Sequence, residues 1–149
     1  MFVINIKTKV VGDDKYGYVT VPENWNRFHD PNAPTELQFS QSNIFIVTLN
    51  ILDVQLTAKE CATNFMLNMK NSDNVEGVTG ATVEIGKDKK YTAYEVYMYY
   101  PQDNTYLITY WFEAEDNVVH YIALEGPQVH NDIKLSDLLF IPDSFSLKK

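Results

Sequence analysis

Three histidines and one cysteine are the side chains of this sequence best suited to chemistry, and they are scattered along it. His29 lies in a polar stretch, His120 in an apolar run, and His130 two residues before Asp132. A zinc site needs ligands at helical or hairpin spacing, so this arrangement predicts no metal site. Cys61 falls on the apolar side of a predicted helix, which is typical of a small core residue and disfavours a role as nucleophile.

Other arrangements that could carry a reaction are also missing. Glu113, Glu115 and Asp116 cluster at a predicted turn but lack the loop that wraps calcium, so we interpret them as a solvated turn. No serine has the Gly-x-Ser-x-Gly setting of a hydrolase. Gly77 and Gly80 precede a predicted strand, whereas a phosphate-binding loop precedes a helix. The sequence therefore predicts no catalytic residue, no metal and no cofactor.

Composition narrows the classes of protein and partner. The 149 residues, 45% of them hydrophobic and 13% aromatic, predict a single globular domain spanning 1–149. A net charge of −8 disfavours nucleic acids and anionic membranes, which bind through Lys and Arg. One cysteine permits no intrachain disulfide. Met1–Val10 alternates polar and apolar residues, unlike a secretion signal, and no run is long enough to insert into a membrane.

The elements that must position any site centre on a stretch rich in aromatic residues. Tyr91–Tyr100, Thr105–Ala114 and Val118–Leu124 each alternate with the period of two that is typical of a strand. Pro101-Gln102-Asp103-Asn104 and Glu115-Asp116-Asn117 separate them and predict tight reversals. The sequence therefore predicts a three-stranded antiparallel meander.

Further strands are predicted before this meander. An alternating pattern begins at Phe2 and continues to Gly12-Asp13-Asp14, and Tyr16–Val21 follows as its partner strand. Leu37–Gln41 alternates, and Ile44–Leu52 is apolar at nearly every position, which is typical of a central strand covered on both faces. Between them, Arg27–Pro34 is interpreted as a polar loop.

Two helices and one more strand complete the prediction. Thr57–Asn71 has an apolar stripe and opens with Thr57 and Glu60 at capping-box spacing, so it is expected to form a helix. Val75–Ile85 is expected to be a strand with an irregular start. Asn131 or Asp132 is expected to cap a short final helix that ends at Pro142.

Tyrosine is the residue type that best suits recognition here. The meander carries more rings with polar tips than one helix readily covers, and amphipathic rings suit contacts with a partner or a glycan. The alternative is that neighbouring elements bury them. Trp25 is expected to fill one edge of the core, although its loop is also a candidate surface. The candidate partner-binding residues are Trp25, His29, Tyr97, Tyr99, Tyr106 and Tyr110.

Three segments give the chain a family resemblance. They are Gly17-Tyr18-Val19-Thr20-Val21-Pro22-Glu23-Asn24-Trp25, Thr57-Ala58-Lys59-Glu60-Cys61-Ala62 and Ser144-Phe145. With the predicted order of elements, the chain resembles the PsbP-like fold family, and within it the bacterial cell-envelope or lipoprotein-type branch of unassigned function. The resemblance implies an α+β fold: an α/β/α sandwich around an antiparallel sheet of about six or seven strands, with one long and one short helix. It implies no catalytic residues.

Three functional hypotheses remain open. The first is a non-catalytic binding or protein-interaction module of the bacterial cell envelope, with an unknown protein or small molecule as partner. The second is a carrier of a small hydrophobic or aromatic ligand held between helix and sheet, motivated by Met66, Met69 and Met98. The third is a hydrolase. The resemblance favours an extracytoplasmic location if a leader is missing, and otherwise the cytoplasm. The sequence leaves the oligomeric state open.

Overall fold

The computed structural model describes residues 7–32 and 36–149, which form an α+β fold with two short α-helices. The strands of the described residues are β1 (Thr8–Asp13), β2 (Gly17–Pro22), β3 (Asn26–Phe28), β4 (Leu37–Gln41), β5 (Phe45–Leu52), β6 (Glu76–Ile85), β7 (Tyr91–Tyr100), β8 (Thr105–Glu113), β9 (Val119–Gly126), β10 (Val129–His130) and β11 (Ile133–Lys134). The helices are α1 (Ala58–Lys70) and α2 (Phe140–Asp143), and 3-10 turns lie at Lys87–Lys89 and Leu135–Leu138.

Seven strands form one antiparallel sheet in the order β3-β4-β5-β9-β8-β7-β6. The predicted meander is confirmed as β7, β8 and β9, which pair in sequence across this sheet. Trp111 marks the register, because it lies opposite Tyr94 on β7 and opposite Tyr121 on β9. Two hairpins, β1-β2 and β10-β11, stand outside the sheet.

Helix α1 forms where the sequence predicts it, and the predicted capping box is present. The Thr57 hydroxyl oxygen accepts the Glu60 amide N–H at 3.1 Å, and the Glu60 carboxylate accepts the Thr57 amide N–H at 3.1 Å. The Ala58 amide donates to Glu113 Oε1 on β8 at 2.9 Å. These contacts satisfy amides at the helix start that have no intrahelical partner, and the last one also ties the helix to the sheet.

The helix covers one face of the sheet with small side chains. Ala58, Cys61 and Ala62 are buried on α1. Small residues bring the helix close to the sheet, where larger side chains supply the apolar area. The residues packed around them include Val96, Met98, Trp111, Val119, Phe65 and Tyr121.

The opposite face is covered by the β1-β2 hairpin and the C-terminal segment. Trp25 and Phe145 are both buried in this core, with 1% and 0% of their surface exposed. The Ser144 hydroxyl accepts the Thr20 amide N–H at 2.7 Å and donates to the Ile141 carbonyl at 2.6 Å. The C-terminal segment is thereby held against β2 by backbone and side-chain hydrogen bonds.

The predicted start of the last helix is wrong. Asn131 and Asp132 do not cap a helix; they form the tight turn of the β10-β11 hairpin, with φ of 48° and 67°. Asn and Asp tolerate this left-handed conformation better than most residues, so the same side chains suit a turn as well as a cap. The helix begins later, at Phe140, and Pro142 lies within its first turn, where a missing N–H removes no intrahelical bond.

The N-terminal region departs from the prediction in one element. The stretch interpreted as a loop from Arg27 begins inside β3, whose three residues pair with β4. A strand of this length is too short to show a period of two. Of the predicted first strand, the part from Phe2 to Ile6 lies outside the described residues, and the rest belongs to β1. No helix in the described part of the chain is long and apolar enough to span a membrane.

Candidate functional site

A groove of about 790 Å³ opens on the sheet face that lies away from α1. Its floor is built by β7 and β8, because the alternation of each strand turns Glu95, Tyr97, Tyr106 and Ile108 to the same face. The register then places Tyr97 directly opposite Ile108. The other residues that line the groove come from the β10-β11 hairpin and the turn that follows it: Gln128, Val129, Lys134, Leu135, Ser136 and Leu139.

Three tyrosines form a continuous row of rings, of which Tyr97 and Tyr106 line the groove and Tyr99 packs on Tyr106. The Tyr106 ring centroid lies 4.5 Å from that of Tyr99 and 5.7 Å from that of Tyr97, with interplanar angles of 35° and 33°. The Tyr99 hydroxyl donates to Asn104 Oδ1 at 3.2 Å. Burial, with the neighbouring Tyr106 as a smaller cause, raises the pKa of Tyr97, so its hydroxyl stays protonated. The row therefore presents ring surface together with hydroxyl groups.

Glu95 places one carboxyl group in the floor of the groove. Burial raises the pKa of Glu95, and a hydrogen bond from the Tyr110 hydroxyl partly opposes this rise. Tyr110 is itself buried, with 3% of its surface exposed, and burial raises its pKa as well. No salt bridge to Glu95 occurs among the residues that the structure describes. The carboxyl group is therefore held by one hydroxyl and retains acceptor capacity for a ligand.

Four of the six predicted partner-binding residues come together in this region. Tyr97 and Tyr106 line the groove, Tyr99 packs on Tyr106, and Tyr110 supports Glu95. The other two do not join them. Trp25 is buried in the core, where it lines a separate cavity of about 170 Å³, and His29 is exposed just beyond β3.

Sequence reasoning missed Glu95, although a signal was present. It is the only charged residue in the ten-residue strand β7. A carboxyl group in the middle of an aromatic strand is costly to bury without a partner, so its position marks a polar cavity or a buried hydrogen bond. Lys134, Ser136 and Leu139 gave no such signal, because the segment was interpreted as a regular helix.

Cys61 and His120 have surroundings that suit structure better than nucleophilic catalysis. Burial, followed by the charges of Glu60 and Glu113, raises the pKa of Cys61, which disfavours the reactive thiolate. The His120 ring is buried, and its Nε2 lies 2.8 Å from Asp116 Oδ2. Its Nδ1 has no hydrogen-bond partner among the described residues, so no hydroxyl or thiol group completes a triad there.

Metal binding finds no support in the part of the chain that the structure describes, where no group of three or more His, Cys, Asp or Glu residues could hold an ion.

A different cluster, on the α1 side of the sheet, shows perturbed acidity. Burial raises the pKa of Glu36 and of Glu125, and the charge of Asp30 raises both further. Tyr121 lies beside them, and its pKa is raised chiefly by burial. The ionised form of each carboxyl group is less favourable in the folded protein than in the unfolded chain, so its ionisation lowers the stability of the fold.

Comparison with known proteins adds no assignment. A scan against protein-family models finds no match, and no curated protein sequence matches the chain significantly. Any functional conclusion therefore depends on the geometry of the groove.

Proposed function

We propose that this protein is a non-catalytic binding module whose ligand occupies the groove on β7 and β8. The observation that carries the proposal is that the contacting rings of Tyr97 and Tyr106 line one cavity together with the half-buried Glu95. Pockets of roughly 300–1,000 Å³ are typical of small-ligand sites, and the groove, at about 790 Å³, has this size.

The lining favours a ligand with a flat ring and a hydrogen-bond donor at its edge. Tyr97 and Tyr106 offer ring surface, against which an aromatic group gains area and favourable edge or face contacts. Glu95 accepts a hydrogen bond at the same place. A tryptophan side chain of a partner protein has both features, so the proposed role is recognition of such a side chain or of a small molecule that resembles it.

We further propose that this chain belongs to the PsbP-like fold family and acts in the bacterial cell envelope. Support comes from the three segments that carry the resemblance. The Tyr18 amide donates to the Ser146 carbonyl at 2.8 Å, and the Ser146 amide donates to the Tyr18 carbonyl at 3.0 Å. Phe145 is fully buried, and its ring lies beside Gly17. The Gly17-Tyr18 and Ser144-Phe145 segments therefore pack together, as the structural roles in that family would require.

The carrier hypothesis has weaker support than a ligand in the tyrosine groove, because side chains fill the described contact between α1 and the Trp111 and Met98 region of the sheet. Phe65 packs on Trp111 with ring centroids 5.3 Å apart. The Tyr100 hydroxyl lies 3.8 Å from the sulfur atoms of Met69 and Met98. Two of the three methionines that motivated a carrier, Met69 and Met98, therefore contact protein atoms, and we propose the tyrosine groove as the place for a small ligand.

The test uses N-acetyltryptophanamide as the probe and amide chemical shifts of the 15N-labelled protein as the readout. We expect saturable shifts at Glu95, Tyr97, Tyr106 and Leu139. Replacing the Tyr106 ring in Tyr106→Leu should weaken binding roughly three- to tenfold, since a stacked aromatic pair contributes about 0.5–1.5 kcal/mol beyond its area. Tyr18→Leu, a change to a strand tyrosine outside the groove, is the matched control. Shifts elsewhere, or equal weakening by both variants, would overturn the proposal.

A further inference from the structure

Strand β6 forms one edge of the sheet, and β7 is its only strand neighbour within residues 7–32 and 36–149. Pairing with β7 is continuous from Thr79 to Ile85, and most of these residues are exposed. The middle of the strand, 77–83, contains no charged residue and no proline, and Glu76 and Glu84 flank it. Protected edge strands usually carry such residues, because an open edge presents unpaired N–H and C=O groups to another chain.

A groove of about 340 Å³ runs between this edge strand and α1. Gly80 and Thr82 turn to the helix side of the sheet, because they pair with Val96 and Tyr94 of β7, whose side chains pack beneath α1. Met66 closes over Gly80 so tightly that a Cβ atom added there would lie 2.8 Å from the Met66 sulfur. A depression lined in part by Met66 therefore lies beside the open strand, where side chains of an added strand would enter.

Two lysines stand at the ends of this groove. Lys59 comes from the first turn of α1 and Lys70 from its last, and both line the groove. Neither forms a salt bridge among the described residues. The nearby Glu84 accepts a hydrogen bond from the Thr92 hydroxyl of β7 at 3.1 Å, so its carboxylate leans away from the open edge. The lining therefore carries two lysines against one carboxyl group, that of Glu95, in a chain of net charge −8.

We propose that β6 and α1 form a docking site for an extended, acidic segment of a partner protein, which adds to the sheet as an eighth strand. Main-chain hydrogen bonds to β6 provide the affinity, and the groove under Met66 and the two lysines selects the sequence. The tyrosine groove lies on the opposite face of the sheet, and Glu95 is the one residue that lines both grooves.

The spacing of the lysines defines the sequence that fits. Lys59 and Lys70 are eleven residues apart, which corresponds to roughly 16 Å along an α-helix. A strand covers about 3.3 Å per residue and returns to the same face every second residue, so roughly 13 Å separates residues i and i+4. Flexible lysine side chains close the small difference. The matching segment has acidic residues at i and i+4 and an apolar residue at i+2, facing Met66.

A second copy of this chain fits the site less well. Antiparallel pairing of two β6 strands would place both α1 helices on the same face of the joined sheet, so Lys59 and Lys70 of each copy would approach the lysines of the other. Each copy would also bring a net charge of −8. Like charges at a short distance oppose association, which favours an acidic strand that belongs to another protein.

The test titrates the 15N-labelled protein with the capped peptide Thr-Glu-Thr-Val-Thr-Glu-Thr. We expect saturable amide shifts along β6 and on the side of α1 that faces it. The matched peptide Thr-Glu-Thr-Val-Glu-Thr-Thr has the same composition but places its two glutamates on opposite faces, so it should bind more weakly. Equal affinity for the two peptides, no saturable shift, or shifts at other surfaces would overturn the proposal.

A second test exchanges the charges of the two lysines and of the peptide. The double variant Lys59→Glu, Lys70→Glu should bind the first peptide about tenfold more weakly, since two exposed ion pairs become repulsive. The same variant should recover binding when lysines replace the glutamates of the peptide. Lys87→Glu, Lys148→Glu is the control, because it changes the net charge equally at exposed positions outside the groove. Equal loss in the control would show that only net charge acts, and no recovery would show that positions 59 and 70 do not pair with the charges of the peptide. Either outcome would refute the site.

Discussion

Phe145 fixes the C-terminal segment that walls the tyrosine groove, and its removal is the most informative test of the fold. Its side chain is fully buried against the rings of Tyr91, Phe112 and His120, with centroid distances of 5.7, 4.9 and 5.3 Å. Truncating a buried Phe to Ala costs about 3–5 kcal/mol, through lost transfer free energy and the cavity left behind. We expect a value of about 4 kcal/mol, because these rings sit on the sheet and cannot collapse into the space.

Urea unfolding followed by tryptophan fluorescence and circular dichroism measures this loss. A change of about 4 kcal/mol is a large share of the roughly 5–15 kcal/mol that stabilises a typical domain. It should lower the melting temperature by roughly 8–16 °C for a domain of this size. Leu139→Ala removes a side chain from the same segment that is 37% exposed, and it should cost well under half as much. A loss for Phe145→Ala below about 2 kcal/mol, with an unchanged denaturant slope, would refute this account of the C-terminal core.

Two further predictions concern the α1 side of the sheet. Burial raises the pKa of Glu125, so as pH rises the unfolded chain ionises first and stability falls. Glu125→Gln should therefore be more stable than the native protein at pH 7. Urea unfolding at about pH 3, below the ordinary carboxyl range, should show that this advantage is lost. An advantage of the same size at both pH values would contradict the prediction. Thr57→Ala removes the side chain that caps α1 and should lower the free energy of unfolding by about 1 kcal/mol. Thr63→Ala, at an exposed mid-helix position, should lower it by less. Similar losses in the two variants would argue against the cap.

The sequence contains enough information to predict most of the sheet. Strands β7, β8 and β9 are long and alternate regularly, so the period of two and the turn residues between them locate all three. Helix α1 is likewise marked by its capping box and apolar stripe. The short strand β3 and the β10-β11 hairpin were missed because two or three residues contain no period, and because Asn and Asp suit both a helix cap and a tight turn.

The groove could be predicted only in part, for a related reason. Tyr97, Tyr99 and Tyr106 share one face through strand alternation and the register of a hairpin, both of which are local properties. The residues of the opposite wall reach the site through long-range packing of the C-terminal segment, which periodicity does not encode. Trp25 shows the same limit, because a tryptophan beside a turn suits recognition or packing, and only the fold shows that it is buried.

Both proposed binding surfaces follow from a mismatch in width between the sheet and its covering layers. A helix is about 10–12 Å across, whereas strands lie about 4.8 Å apart, so one helix covers roughly two or three strands of a seven-stranded sheet. Helix α1 packs on β6, β7 and β8 and leaves the edge of β6 open. On the other face, the β1-β2 hairpin and the C-terminal segment cover the sheet incompletely, so the tyrosines of β7 and β8 form the floor of a groove.

The part of the helix-side face that α1 does not contact carries polar groups. Among them are the Gln38 amide, which donates to Thr48 Oγ1 at 3.0 Å, and the carboxyl group of Glu125. Polar residues occupy the strands of one face that α1 does not contact, and amphipathic rings occupy the incompletely covered strands of the other, so recognition is expected mainly at the rings and at the open edge.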